Sequence, residues 1–270
     1  MKKTTKKLSS KIADDEYVKS KSKKKHKFDV GDLALTISIV LSVGAVSSTI
    51  ISKKVAMKNF EGVNTELFQK TTFDVPVVLP IKNGVANLNI IDCFTDTQLH
   101  EIKAGIEKLD FDAKGIEFNV SYTDEDVEKS INIKSYDFID PSEKELSFGY
   151  ADIYKNNFTA KLCYPLTVYL NTEKIEYYGA NLNNVVRHEL MHCLGFTDLR
   201  DHSKYKDYLM LHTDLGYFKE LTQDEYDALN KIYSPEKTGL VTVEKPTEIR
   251  YHYNEDVDTK KLIAEKELAY

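Results

Sequence analysis

Cysteine is scarce in this chain of 270 residues. Cys93, Cys163 and Cys193 are too few for a disulfide framework, so the fold has to rest on an apolar core. Outside the cytoplasm one bridge would still be permitted, and Cys93 with Cys163 is the pair to test. Cys193 reads as a small apolar residue on the buried side of a helix. Internal repeats are also missing, which excludes a solenoid or array. Aromatic residues are nearly absent from the basic N-terminus: residues 1–27 hold eleven lysines against Asp14, Asp15 and Glu16, with Tyr17 the single aromatic. The local balance is +8 in a chain of net charge −6, so the remaining residues carry −14. Without aromatic interleaving, and ending where an apolar segment begins, this run does not suit nucleic acid, and no nucleic-acid partner is expected.

Charge is absent altogether from residues 33–51. As a helix this stretch would span about 28 Å, close to the hydrocarbon thickness of a bilayer. Lys53 and Lys54 close it, and the lysine-rich flank should stay in the cytoplasm. The expected order is a basic cytoplasmic tail (1–30), a transmembrane anchor (31–52) and an extracytoplasmic remainder, giving a single-pass protein of the cell membrane. The competing reading is a signal peptide cleaved near Ala45-Val46-Ser47, which would release a secreted protein. The apolar run continues to Ile51, which favours the anchor.

Residues 53–83 show no clear period and read as a stalk. Beyond them, residues 84–235 have the size of one domain with a sizeable core. Ala86, Leu88 and Ile90 alternate with Asn87 and Asn89 as in a half-buried strand. Leu99, Ile102, Ile106 and Leu109 stand at helical spacing behind Thr95, Asp96 and Thr97, any of which could cap the helix. Ile116, Phe118, Val120 and Tyr122 make a second strand, Ile131 and Ile133 a third, and residues 145–154 and 166–171 two more. After a helix beginning near Leu182 come Thr222 and Glu225 at capping-box spacing, with Tyr226, Leu229, Ile232 and Tyr233 as an apolar stripe ended by Pro235. The predicted class is α+β, a sheet of about five strands with helices. Residues 236–270 form a C-terminal extension with a strand near 249–253 and a charged, helical end, and no role is assigned to them.

The chemistry concentrates in residues 188–198, His-Glu-Leu-Met-His-Cys-Leu-Gly-Phe-Thr-Asp. On a helix, His188 and His192 lie one turn apart on one face with Glu189 beside them. Zinc (Zn2+) accepts imidazole nitrogen and carboxylate oxygen, and a catalytic zinc needs three protein ligands plus an open position. Asp198 is the natural third, because Gly195 tolerates positive φ and lets the chain fold back. His202, four residues on, is an alternative, as is Glu220 or Glu225 downstream. A buried helix with a satisfied histidine pair is the bland reading. A chance His-Glu-x-x-His in a chain of this composition is expected at about the one-percent level, and the glycine and acid make it rarer.

His188-Glu189-x-x-His192-x-x-Gly195-x-x-Asp198, followed by Tyr208-Leu209-Met210, resembles the metzincin class of zinc endopeptidases, and most nearly the matrixin-type catalytic domain. Residues 115–118, 180–182 and 221–224 add to the likeness, which covers 84–235. It implies a twisted mixed sheet, a zinc-binding active-site helix and a C-terminal helix, with His188, His192 and Asp198 on zinc. Met210 would be the structural methionine of the turn beneath the metal, and Glu189 the general base. Matrixins carry histidine where this chain has Asp198, and no inhibitory cysteine segment precedes the domain. The resemblance also implies that residues 148–154 are a sheet edge able to pair with a substrate strand. His212, two residues after Met210, stands where some metzincins have a tyrosine that steadies the oxyanion.

Two functions follow. One is a membrane-anchored, extracytoplasmic zinc endopeptidase acting on polypeptide. The other is a non-catalytic surface binding protein that keeps the fold. Glu189 discriminates, since a binding module has no chemical need of it.

Overall fold

A computed structural model describes residues 57–135, 147–212 and 216–240, and the backbone of 250–254 and 261–265. Five strands form one sheet: β1 (Val85–Ile91), β2 (Glu117–Thr123), β3 (Ile131–Ser135), β4 (Gly149–Asn156) and β5 (Lys161–Leu170), in the order β2-β1-β3-β5-β4. The first four in that order are parallel, and β4 pairs antiparallel with β5 as an edge strand. The class is α+β with a mixed sheet, as the sequence pattern predicts. All described residues belong to one unit, Ile51–Tyr270.

Alternation decides which strand faces are buried. Ala86, Leu88 and Ile90 on β1, Ile131 and Ile133 on β3, and Leu166, Val168 and Leu170 on β5 are almost fully buried. Asn87 is exposed as expected of the polar face, whereas Asn89 is fully buried. Its amide donates to Glu125 O at 2.9 Å and Asn132 Oδ1 at 3.1 Å, while its Oδ1 accepts from the Ser121 and Thr123 hydroxyls. A fully hydrogen-bonded amide can be buried without the cost of an orphaned dipole.

Helix α1 (Asp96–Asp112) begins at Thr95, whose hydroxyl accepts from the Gln98 amide while the Gln98 side chain accepts from the Thr95 amide. Of the three possible caps, only Thr95 has both halves of this reciprocal pair. Its buried face carries Ile102, Ile106 and Leu109 and packs against α3 (Leu182–Cys193). The sequence pattern does not reveal α2 (Thr172–Tyr178), which is too short for a clear period. It is started by the Asn171 side chain and stopped by Gly179 at φ 64°. Helix α3 crosses β4 and β5. Helices α4 (His202–Tyr205), α5 (Gln223–Ile232) and α6 (Pro235–Thr238) follow.

Several expectations need correction. The stretch expected as a stalk, 53–83, is part of the folded unit from about Phe60 onward. Phe60, Leu67, Phe68, Val75, Val77 and Leu79 are each at most 5% exposed, so they are core residues. Their lack of period is physical: apart from one short 3-10 turn, Thr65–Leu67, the segment is irregular and lies along the domain in single bridges, Phe68 to Phe196 and Val78 to Lys161. At the other end, Thr238 Oγ1 donates to Gly115 O at 2.7 Å and the Gly84 amide to Thr238 O at 3.1 Å, so packing runs past Pro235. The end expected to be helical instead contributes β7 (Lys261–Glu265), antiparallel to β6 (Arg250–Asn254). Cys93 and Cys163 form no disulfide. Because β1 and β5 run parallel across β3, Cys93 just beyond the end of β1 and Cys163 near the start of β5 lie at opposite ends of the sheet. The predicted tail and membrane anchor, 1–30 and 31–52, lie outside the described residues. Among the described residues no helix is long and apolar enough to cross a membrane.

A stalk and a core segment respond differently to truncation. Leu67→Ala removes a fully buried side chain and should lower the unfolding free energy by about 2–5 kcal/mol. Chemical denaturation checks this; an unchanged midpoint would restore the stalk.

Candidate metal centre

The centre is built at the C-terminal end of α3. Asn181 caps the helix by accepting from the Asn184 amide at 3.0 Å. His188 and His192, one turn apart, present rings 4.7 Å apart and nearly perpendicular. Leu194 continues helical hydrogen bonding, and then Gly195 at φ +105° breaks it. A Cβ at Gly195 would stand 2.3 Å from Val77 O, so both the dihedral and the close approach of the Val77 backbone require glycine. The reversal brings Asp198 back to the helix.

Asp198 Oδ1 lies 3.3 Å from His188 Nε2 and 3.3 Å from His192 Nε2. The opposite ring nitrogens are occupied: His188 Nδ1 is 2.9 Å from Leu209 O and His192 Nδ1 is 3.0 Å from Phe196 O. A carbonyl oxygen can only accept, so both Nδ1 atoms carry hydrogen, and in the neutral rings Nε2 offers a lone pair. Two lone pairs thus face a buried carboxylate oxygen that itself has no hydrogen-bond partner. Three electron-pair donors in this arrangement need a positive charge among them. If protons alone supply it, burial opposes charge on His192, yet the Asp198 hydrogen bond and the Glu189 charge push its pKa up to about 9. Burial would raise the Asp198 carboxyl; hydrogen bonds and charge from His188 and His192 outweigh that and hold it far below the usual carboxylate range.

A divalent ion meets the same need. Ligand atoms about 2.0–2.1 Å from a tetrahedral zinc stand about 3.3 Å from one another, which is the observed separation from Asp198 to each histidine. His188, His192 and Asp198 are the one cluster of this kind among the described residues. The donor set therefore fits zinc. His202, the alternative, is exposed at the start of α4 and lies outside the cluster. Glu220 pairs with Lys108 at 2.7 Å, and Glu225 is engaged elsewhere. His212 Nδ1 lies 3.6 Å from Asp198 Oδ2, with its ring half exposed to the cleft.

Glu189 is 4% exposed, and burial raises its pKa. It faces β4, where a Cβ at Gly149 would come within 2.7 Å of Glu189 Oε1. Glycine at that position leaves the carboxylate its room. Glu189 and the three clustered residues line one cleft of about 980 Å3, bounded by β4 on one side and by Gln69 and Lys70 on another.

Comparison with known proteins does not name a family. No family model matches the chain, and no curated protein matches it. Among solved structures it is similar to high choriolytic enzyme 1, a hatching enzyme zinc-protease from the medaka fish Oryzias latipes. The likeness has 12% identity and a TM-score of 0.33, covering 62% of this chain and 94% of that one. So distant a likeness carries no argument, and the centre has to be understood from its own atoms.

Two supports were not evident in the sequence as parts of the centre. Gln69 donates through its side chain to Phe196 O at 2.9 Å and His192 O at 3.2 Å, holding the carbonyl that orients His192. Nothing local marks Gln69, whose partners lie more than a hundred residues away. Glu225 is recognisable as half of a capping box with Thr222, and that box forms. The same buried carboxylate also accepts from the Met210 amide at 2.9 Å and the Leu209 amide at 3.3 Å. It thereby fixes the peptide whose carbonyl holds His188. Met210 is fully buried, and the adjoining backbone is tied to the Asp198 loop by Leu199 N to Met210 O (2.9 Å) and His212 N to Leu199 O (3.1 Å).

Removing that carboxylate orphans two buried amides. Glu225→Ala should cost about 3 kcal/mol or more in stability, and Glu225→Gln, which keeps one acceptor, should fall between it and wild type. Denaturation midpoints of the three proteins check this order; equal midpoints would contradict the clamp.

Proposed function

We propose that this chain is a zinc-dependent endopeptidase with a metzincin-like active site, held at the cell membrane by residues 31–52 with its catalytic domain outside. The observation that carries the peptidase reading is the convergence of His188, His192 and Asp198, with Asp198 Oδ1 3.3 Å from each imidazole Nε2, beside the buried Glu189 carboxylate in a cleft bordered by an edge strand. The anchor rests on the uncharged run 33–51 and its lysine flanks.

His188, His192 and Asp198 would hold the ion, with their outer hydrogen bonds to Leu209 O and Phe196 O keeping the ligating nitrogens free of protons. Zinc in such a site supplies Lewis acidity, making water more acidic and a carbonyl more electrophilic. Glu189 accepts the proton from the attacking water and delivers it to the departing amide nitrogen, which is a poor leaving group until protonated. Its buried position raises its proton affinity toward that shuttle role. The outer edge of β4 offers main-chain donors and acceptors to an extended polypeptide, so the substrate can add as a further strand. His212, reaching into the cleft beside Asp198, can donate an N–H to the oxygen on which negative charge develops.

Zinc content and peptide hydrolysis, measured together on purified protein, test the assignment. Glu189→Gln should keep one zinc and lose turnover by orders of magnitude; Asp198→Ala should lose zinc affinity strongly, while His202→Ala should leave it nearly unchanged. Equal turnover in wild type and Glu189→Gln would eliminate the peptidase in favour of a binding protein.

His212→Ala should lower kcat about ten- to hundredfold, the loss of one oxyanion donor in a half-exposed position, at unchanged zinc content. A drop confined to KM would instead make His212 a substrate contact.

A further inference from the structure

Two phenylalanines are exposed at turns, where polar residues are usual. Phe73 is 40% exposed and Phe158 78%, and their ring centres lie 6.0 Å apart. A lone apolar side chain on the surface is ordinary, but these two meet from separate turns. Both turns are held by side chains. Thr71 Oγ1 accepts from the Phe73 and Val75 amides, each at 3.2 Å, and Asn156 Oδ1 accepts from the Phe158 and Thr159 amides, each at 3.0 Å. The Thr72 amide then ties one turn to the other by donating to Asn157 Oδ1 at 3.1 Å. The aromatic pair is therefore presented outward from a fixed backbone.

The pair sits at a definite end of the sheet. Turn 156–160 leads into the start of β5, and β5, β3, β1 and β2 are parallel, so all four begin at that end. The chain enters the domain there as well. Lys237 Nζ, from α6, donates to Asn59 O at 3.3 Å, and α6 is tied through Thr238 to Gly84 and Gly115, just ahead of β1 and β2. Upstream of Met57 only Val55 and Ala56 separate the domain from Lys53 and Lys54, which close the uncharged run 33–51.

We propose that this end of the domain rests on the lipid surface, with Phe73 and Phe158 set among the headgroups. The proposal rests on the membrane-anchor reading and adds a second contact to it. With Lys54 at headgroup level, Met57 is at most about 11 Å away, the reach of three extended residues. The end of the sheet that carries Asn59 is then the end brought against the bilayer, and its exposed aromatic pair is the apolar surface that meets lipid. Apolar side chains presented in this way settle about 5–10 Å into the boundary between headgroups and acyl chains. An anchor alone lets a domain turn on its tether. A second contact fixes the orientation, and with it the height of the cleft above the bilayer.

The chain contains no tryptophan, so Phe158→Trp places a single fluorescent reporter in the pair. Tyr177→Trp places one at a control site, 82% exposed on α2 beyond the other end of β5. Each full-length variant is reconstituted into vesicles with and without lipids brominated on the acyl chain near the headgroup, and thermal midpoints verify folding. Phe158→Trp should lose about half of its emission or more to the bromines, as expected at a depth of about 5–10 Å, whereas Tyr177→Trp should lose almost none. Adding Phe73→Asp to Phe158→Trp should cut that loss about twofold or more, because a carboxylate resists leaving water. An alkaline wash of the vesicles tests the anchor separately. Quenching at position 158 in a chain that the wash removes would defeat the anchor and leave the docking surface standing. A chain that resists the wash while its emission at position 158 is unquenched, whether the pair lies in water or under protein, overturns the docking and leaves the anchor. Equal quenching of both reporters, or quenching undiminished by Phe73→Asp, also overturns the docking, and a chain both washed off and unquenched defeats the two together.

Discussion

Lone pairs repel, and this structure brings three sets of them together. Both imidazoles are oriented by carbonyls that demand a proton on the far nitrogen, so the near nitrogens arrive bare at a buried carboxylate oxygen. Only a positive charge makes that arrangement stable. Much of the surrounding architecture serves to impose it. The helix supplies the histidine pair at fixed spacing, Gly195 turns the chain, and the Leu199–Leu211 bridge ties the Asp198 loop to the backbone around Met210.

The carbonyls are themselves held. Leu209 belongs to a turn whose amides are gripped by Glu225 from the start of α5, and Phe196 O is shared by His192 and Gln69 from the N-terminal segment. Each histidine is thus tied, through one peptide group, to an element far away in sequence. Such outer contacts set ring orientation and tautomer, and metal affinity depends on them nearly as much as on the ligands. The N-terminal segment also joins the core through Leu67, Phe68 and Val77, so the element that packs the domain also steadies the centre.

The edge position of β4 joins this centre to its surroundings. Its first residue must be glycine because Glu189 occupies the space of a side chain, and among the described residues no other strand flanks its outer side. Running antiparallel to a parallel sheet, β4 carries Lys155 away from the histidine–aspartate cluster along one side of the cleft.

The sequence by itself determined what depends on short range. Helical spacing of His188 and His192, the glycine stop, the Thr222 cap and the alternation of β1 are all properties of a few neighbouring residues, and they appear in the structure where local rules place them, whereas the choice of Thr95 among three possible caps came from the structure. The position of Asp198 was legible for the same reason, as a turn of fixed length after Gly195. Tertiary structure alone decided the rest. It buried Asn89, whose partners come from two other strands and a loop, and made a core element of residues 60–79, which have no period because apart from one 3-10 turn they are irregular. It gave Glu225 a second role and brought Gln69 to His192, and it placed Cys93 and Cys163 at opposite ends of the sheet. These outcomes depend on contacts between residues far apart in the chain, which no local pattern encodes and which exist only once the sheet order has brought the segments together.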